Sequence, residues 1–256
     1  MTKVGGKLHG KVAIVTGAGQ GVGKGIALAL ASEGAAIVVA GKTESKLHDT
    51  CREIEQRGVR ALPVLCEVGK AEQIEACVAR TLEAFGRIDI LVNNAQSVPL
   101  GKLNDVSEKA FEAGWRTGPL ATFRFMRACY PQLKASHGVV VNLASGSGFR
   151  PDPIGYGAYA AVKEATRTLS RAAACEWGPD GIRVLVIVPL AMSPGMVMWT
   201  EMVPDEARAF MQTVPLRRGG DCEKDIGRAV AMLCSDDAGY ITGTTIMLDG
   251  GQAYLR

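Results

Sequence analysis

The sequence predicts a doubly wound, parallel α/β sheet with helices on both faces, folded as one domain over residues 1–256. Three observations predict it. Short β-branched runs alternate with longer helical patterns almost from end to end, the sign of right-handed strand–helix–strand crossovers. The strand runs are nearly continuous in apolar residues, as in strands covered on both faces. A glycine-rich string lies between the first run and the first helical pattern, where such a sheet presents a ligand-binding turn.

The elements follow in order. Residues 12–15 form a compact strand, and 26–30 belong to an Ala- and Leu-rich helix after the glycine turn. Strand 37–40 leads into a polar helix at 44–56. Strands at 61–65, 88–92, 139–143 and 184–188 are spaced by helices at 71–85, 108–133 and 159–177. A helix at 223–233 and a short strand at 245–248 complete the pattern. There is no internal repeat, low-complexity tract or Pro/Ser-rich linker. The segment 190–213 interrupts the alternation and carries Met192, Met196, Met198, Met202, Met211 and Trp199. Long excursions of this kind serve as lids or binding loops, and methionine adapts to variable apolar shapes. The other reading is a helix pair packed on the core or on a partner subunit.

Composition narrows the class. Twenty-nine basic residues interspersed with 26 acidic ones leave a formal charge of +3, with no basic block for nucleic acid or anionic lipid. Seven widely spaced cysteines without a Cys-x-x-Cys pair read as reduced, mostly buried thiols. His9, His48 and His137 lie far apart, so no metal site is expected. Residues 1–10 contain no apolar signal-peptide stretch, and the longest apolar run, 184–190, is too short to span a bilayer. A cytoplasmic protein with no membrane partner is expected.

The turn after the first strand reads Thr16-Gly17-Ala18-Gly19-Gln20-Gly21-Val22-Gly23. Its glycines let the main chain approach a ligand, and the helix that starts there aims free N–H groups and its positive dipole end at a pyrophosphate. That placement predicts dinucleotide binding. The end of the second strand, Val39-Ala40-Gly41-Lys42, lacks the carboxylate that would bind the ribose 2′-hydroxyl of NAD. Lys42 instead suits a 2′-phosphate, favouring NADP(H) while leaving NAD(H) possible. Gln20, where an arginine would be a second phosphate partner, weakens that preference, and Lys42 also reads as a solvated surface residue.

Tyr159 and Lys163 are four residues apart at a helix start and share one face. A phenol titrates near ~10 and is a poor base at neutral pH, but a lysine cation beside it favours the phenolate. The spacing alone is common on surface helices. It gains force from the preceding strand, which runs into Ser145-Gly146-Ser147 at its carboxyl end, where sheets of this type bind ligands. Ser145 is then placed to hold a substrate oxygen beside Tyr159, or is a simple turn serine; Ser147 and Tyr156 are weaker substitutes.

Taken together, these residues resemble the short-chain dehydrogenase/reductase family over essentially the whole chain. The resemblance is carried by the 16–23 turn, Asn93-Asn94-Ala95, Ser145, Tyr159 with Lys163, Tyr240-Ile241-Thr242-Gly243 and Asp249-Gly250-Gly251. It implies a Rossmann-like oxidoreductase that interconverts a secondary alcohol and a ketone. Tyr159 is implied as acid/base, Ser145 as the group orienting the oxygen, and Lys163 as ribose ligand and activator of Tyr159. Gly17, Gln20, Gly21, Val22, Gly23, Lys42, Glu67, Val68, Asn93, Ala95 and Pro189 are implied along the cofactor. The family is usually dimeric or tetrameric, so a homo-oligomer acting on a small, apolar carbonyl or alcohol is expected. The alternative is a non-catalytic dinucleotide-binding sensor or scaffold subunit.

The pattern departs from the family in places. Gln96 follows Ala95 where the family has glycine. Gly118, before a helix-breaking Pro119, stands where a catalytic asparagine supports a proton-relaying water. Leu190 and Leu185 replace the usual glycine and asparagine around the sixth strand. Gly118→Asn is accordingly expected to be tolerated or to raise activity.

Overall fold

The computed structural model describes residues 5–150 and 154–253; the first residues of the polar start and the two ends of the expected single domain lie outside them. The first half runs β1 (Val12–Thr16), α1 (Gly21–Ser32), β2 (Ala36–Gly41), α2 (Glu44–Glu55), β3 (Ala61–Leu65), α3 (Ala71–Phe85) and β4 (Ile90–Asn93). The second half runs α4 (Glu108–Thr117), α5 (Pro119–Ser136), β5 (Val139–Leu143), α6 (Gly157–Trp177), β6 (Arg183–Pro189), α7 (Pro194–Met202), α8 (Pro204–Thr213), α9 (Arg228–Cys234) and β7 (Thr245–Leu248).

All seven strands pair in parallel in the order β3-β2-β1-β4-β5-β6-β7. Winding reverses between β1 and β4, so a crevice opens at their carboxyl ends. The continuous apolar strands have a simple cause. Ala13 and Val15 pack with Ile26, Leu30 and Val230 on one face. Ile14 between them packs with Leu91, Phe125 and Leu133 on the other. Alternate residues face opposite layers, and both layers are helical and dry.

The expected helix at 108–133 is two helices. Gly118 ends α4, its N–H donating to Gly114 O at 2.9 Å, and Pro119 opens α5 as an N-terminal proline. The last helix differs too: residues Cys222–Gly227 form a π-helical turn before α9. Asp221 caps that turn, accepting from Glu223 N at 2.9 Å and Lys224 N at 2.7 Å. It presses against α1. A Cβ at Gly25 would overlap the Cys222 carbonyl and lie 2.7 Å from Glu223 N, and one at Gly227 would lie 2.5 Å from Gly25 O. Both obstacles are backbone, which cannot swing aside. Gly25→Ala is expected to destabilise the fold by about 3 kcal/mol, read as a lower denaturant midpoint; an unchanged midpoint would show that α1 can slide off the turn.

The 190–213 excursion is a helix pair, α7 and α8, with Trp199 set edge-on to Phe210 at 5.7 Å. Only Ala207 of the two helices is buried, so the pair is not a core element. Ser193 and Pro194 lie against the glycine turn: a Cβ at Gly21 would be 3.5 and 3.3 Å from them. Among the described residues no helix is long and apolar enough to cross a membrane. Five of the seven cysteines are buried.

Candidate active site

The crevice is tied together by two residues at neighbouring strand ends. Thr16 Oγ1 accepts the N–H of Asn94 at 2.9 Å and of Ala95 at 3.0 Å. The Asn94 amide donates back to Thr16 O at 2.8 Å. This latch holds the turns after β1 and β4 against each other. Gly17 and Gly21 adopt φ of +66° and +57°, a region closed to most side chains. Gly23 has a different role, since a Cβ there would strike Asn94 and the Gly17 carbonyl. Val22 packs against the core beneath.

A cavity of about 400 Å³ opens above the latch. Of the residues implied along a cofactor, Gly17, Gln20, Lys42, Glu67, Val68 and Ala95 line it together. Gly21, Val22, Gly23 and Pro189 do not. The side chain of Asn93 points elsewhere: its amide donates to Asn142 Oδ1 at 2.8 Å, and the Asn142 amide donates to Ser170 Oγ at 2.8 Å. This buried chain bolts β4, β5 and α6 together. Gln96, noted in the sequence as a departure beside the cofactor floor, lines the cavity too; Asn94, Lys46 and Thr117 do so without having been singled out for it. The only sequence signal for them was position, just beyond a strand end or one helical turn from a named residue.

The cavity has a basic edge. Lys42 is exposed, and Lys46 donates to Gln20 Oε1. Glu67 pairs with Lys70 at 2.9 Å, and that lysine, with weaker help from Arg116 and Lys42, holds its carboxyl below the ordinary range. Glycine-turn amides, a free helix N-terminus and these cations match the donor set that a dinucleotide diphosphate needs.

On the other side of the crevice, Ser145, Tyr159 and Lys163 come together. Ser145 leaves β5 with its Oγ 2.8 Å from Ser147 Oγ and near enough to the Tyr159 phenol to lower that phenol's pKa. Tyr156 stands against Tyr159 with ring centroids 6.3 Å apart. Lys163 is buried, its Nζ donating to Leu143 O at 2.8 Å and lying 5.6 Å above the Tyr159 ring centroid. Burial raises the Tyr159 pKa, with Ser145 pulling the other way. Burial also lowers the Lys163 pKa, to about 7, so its charge beside the phenol weakens as pH rises past that value.

Gly118 is also not what the sequence suggested. A Cβ there would lie 2.8 Å from Gly114 O, 2.8 Å from Val162 Cγ1 and 3.0 Å from the Gln96 amide nitrogen. Asparagine does not fit without displacing backbone or Val162, so Gly118→Asn is expected to impair the protein. The tail motifs are structural: Thr242 Oγ1 accepts from Val184 N at 3.0 Å, and Asp249 accepts from Gly251 N at 2.9 Å and Ala253 N at 2.7 Å.

Known proteins are similar to this chain in sequence and fold. The family model described as enoyl-(acyl carrier protein) reductase matches residues 17–253. The 12alpha-hydroxysteroid dehydrogenase of a Clostridium sp. is 42% identical over 254 residues, spanning 96% of this chain and 98% of that protein. Dehydrogenase/reductase SDR family member 4 of Homo sapiens is 34% identical over 248 residues, spanning 95% of this chain and 88% of that protein. Among solved structures, a 7 alpha-hydroxysteroid dehydrogenase complexed with NADH and 7-oxo glycochenodeoxycholic acid has a TM-score of 0.89 at 29% identity, covering 96% of this chain and 95% of that one. NAD+-bound xylitol dehydrogenase has a TM-score of 0.88 at 31% identity, covering 96% and 100%.

Proposed function

Because this chain belongs to the short-chain dehydrogenase/reductase family and is an NAD(P)-dependent oxidoreductase for alcohol and ketone, we propose that it acts on a rigid, hydroxysteroid-like substrate with NADP(H) preferred. The observation that carries the substrate reading is the apolar rim beyond the catalytic set. Leu100 and Leu103 on the loop after β4, Met198 and Met202 on α7, and Leu216 are large, apolar and exposed. They lie in the connections from β4 to β5 and from β6 to β7, which leave the carboxyl ends of β4 and β6, the side on which such a sheet binds its ligand. A wide apolar surface bordering one polar cluster suits a large, rigid, mostly hydrocarbon ligand with a single reacting oxygen. Two of the similar proteins named above are hydroxysteroid dehydrogenases. The helix pair α7–α8 serves as the lid over this surface.

When bound, the nicotinamide supplies or accepts the hydride. The protein does the rest. Gly17, Gln20, Lys42, Val68 and Ala95 hold the dinucleotide, with Gly21 and Gly23 shaping the turn. Ser145 donates to the substrate carbonyl oxygen. Tyr159 gives that oxygen its proton as it becomes a hydroxyl, which its raised pKa suits. Lys163 is the near-neutral group behind it. The same reading takes the protein as a cytoplasmic homo-oligomer, dimer or tetramer, with exposed Phe111, Trp115 and Phe123 on α4 and α5 as surface to be covered. No similar protein named above supports the non-catalytic alternative.

The test is to follow reduced-nicotinamide absorbance with a panel of steroid, monocyclic and aliphatic ketones. Steroid ketones are expected to give the highest kcat/KM; a clear preference for small aliphatic ketones would overturn the substrate reading. NADPH is expected to exceed NADH. Lys42→Asp is expected to lower the NADPH-to-NADH ratio of kcat/KM by about 10- to 100-fold, the scale of one charge-assisted phosphate contact replaced by repulsion. A ratio unmoved by that variant would remove Lys42 from cofactor choice.

A further inference from the structure

Ser145 follows β5 and opens a short turn over Gly146–Gly148. Gly148 N donates to Ser145 O at 3.1 Å, and Ser147 N donates to Ser145 Oγ at 3.3 Å. Two glycines in a three-residue turn leave it little stiffness of its own, so its position is set from outside. On one side it meets the segment after β7: a Cβ on Gly146 would lie 3.5 Å from Ala253 Cβ and from Gln252 Oε1. On the other side stands α6. A Cβ on Gly148 would overlap the Glu164 carboxylate, so that carboxylate rests directly on the backbone of the turn.

Glu164 is itself held. Arg167, three residues on along α6, donates its Nε to Glu164 Oε2 at 2.8 Å and to Oε1 at 3.1 Å, and its Nη2 donates to Oε2 as well. The Arg167 guanidinium carbon lies 4.7 Å over the centre of the Phe149 ring. Phe149 in turn packs against Ala144 at the end of β5 and against Val186 and Val188 of β6. Ala144 precedes the turn and Phe149 follows it, so the brace grips it from both ends. Magnitudes separate two roles for this brace. An ion pair three residues apart on a helix shifts a folding equilibrium only about twofold, and an exposed arginine–ring stack by about twofold to fivefold. A misplacement of about 1 Å at a reacting centre can cost about a hundredfold in rate. The brace has more leverage on catalysis than on the fold.

We propose that Glu164 and Arg167 are positioning residues for Ser145, holding its turn so that the hydroxyl meets the substrate oxygen beside Tyr159. They act through the Gly148 backbone and the Phe149 ring and do not touch the reacting atoms. The proposal rests on the reading of Ser145 as the group that holds that oxygen. It also explains the choice of arginine. A planar guanidinium forks onto a carboxylate while its face lies on a ring, and an ammonium cannot do both.

Ser145→Ala alone tests the reading beneath the proposal. It is expected to lower kcat for ketone reduction by about a hundredfold; a wild-type kcat would overturn that reading and this proposal with it. Arg167→Met keeps the apolar stem and removes the guanidinium. It is expected to lower kcat by about tenfold, leave KM for the nicotinamide cofactor within about twofold, and leave Tm within about 3 °C. Glu164→Ala is expected to match it, and Arg167→Lys to remain impaired. In a Ser145→Ala background, Arg167→Met is expected to cost no more than about twofold further in kcat, because the group it positions is gone. With the Ser145 reading intact, the proposal is overturned if Arg167→Met keeps the wild-type kcat. It is equally overturned if that variant costs the same tenfold with and without the Ser145 hydroxyl, or if its loss is confined to KM for the cofactor.

Discussion

Tyr159→Phe is expected to lower kcat by about a thousandfold while leaving the fold and nucleotide binding in place. The substitution removes one hydroxyl and keeps the ring that packs beside Tyr156 at 6.3 Å. What is lost is the hydroxyl beside Ser145, the group positioned to protonate the substrate oxygen. A positioned general acid is worth about 10² to 10⁴ in rate, and neither Ser145 nor Ser147 can replace it, because a hydroxyl of that kind is a far weaker acid. The direction of the pKa shift adds a second expectation. A phenol held above its ordinary value stays protonated throughout the neutral range, so ketone reduction should be nearly flat in pH there. Alcohol oxidation, which needs the phenolate, should rise with pH towards that raised pKa. A Tyr159→Phe enzyme within about tenfold of wild type would hand the proton step to Tyr156 or to water, and would sink the assignment.

Lys163→Met should do two opposite things: abolish most of the activity and stabilise the protein. The ammonium is buried against Leu143 O, and among the described residues no carboxylate offsets its desolvation. In the unfolded chain this lysine keeps its proton up to about 10.5, whereas in the folded protein it gives the proton up at about 7. Between those values the unfolded chain binds more protons, so stability rises with pH across that window, and the penalty is fully present below it. A shift of that size corresponds to about 5 kcal/mol. Methionine fills the same volume without the charge, although Leu143 O loses its donor at a cost of about 1 kcal/mol. Measured without added nucleotide, Lys163→Met is therefore expected to be more stable than wild type by about 4 kcal/mol at pH 6. That advantage should shrink as pH approaches 10.5. Equal stability at all pH values would mean that Lys163 is not desolvated as its burial implies.

Much of the scaffold was legible in the chain. Strands at 61–65, 139–143 and 245–248 and the helix at 71–85 stand where their apolar runs put them; at 139–143 the run is continuous because that strand is buried on both faces. The helix at 108–133 was half legible. Pro119 announced an interruption, but only packing against α6 makes Gly118 a full break that carries Gln96 in its lee. Asn93 shows the opposite limit. Its motif is plain in sequence, yet its amide is spent on Asn142, from a strand far along the chain, and it is the next residue, Asn94, that clasps Thr16. Sequence order carries no information on which of two adjacent asparagines turns inward.

The pair that anchors the chemistry divides in the same way. That Tyr159 and Lys163 share a helix face beneath Ser145 follows from a four-residue spacing and a strand end, both short-range properties of the chain. Their protonation does not. Whether the lysine is a cation or a neutral amine, and whether the phenol is acid or base, depends on how much water the packed strands and helices exclude. Desolvation is a property of the assembled volume. The same holds for the space above Gly118, closed by Gln96 and Val162 only where the β4 loop, the α4–α5 break and α6 meet.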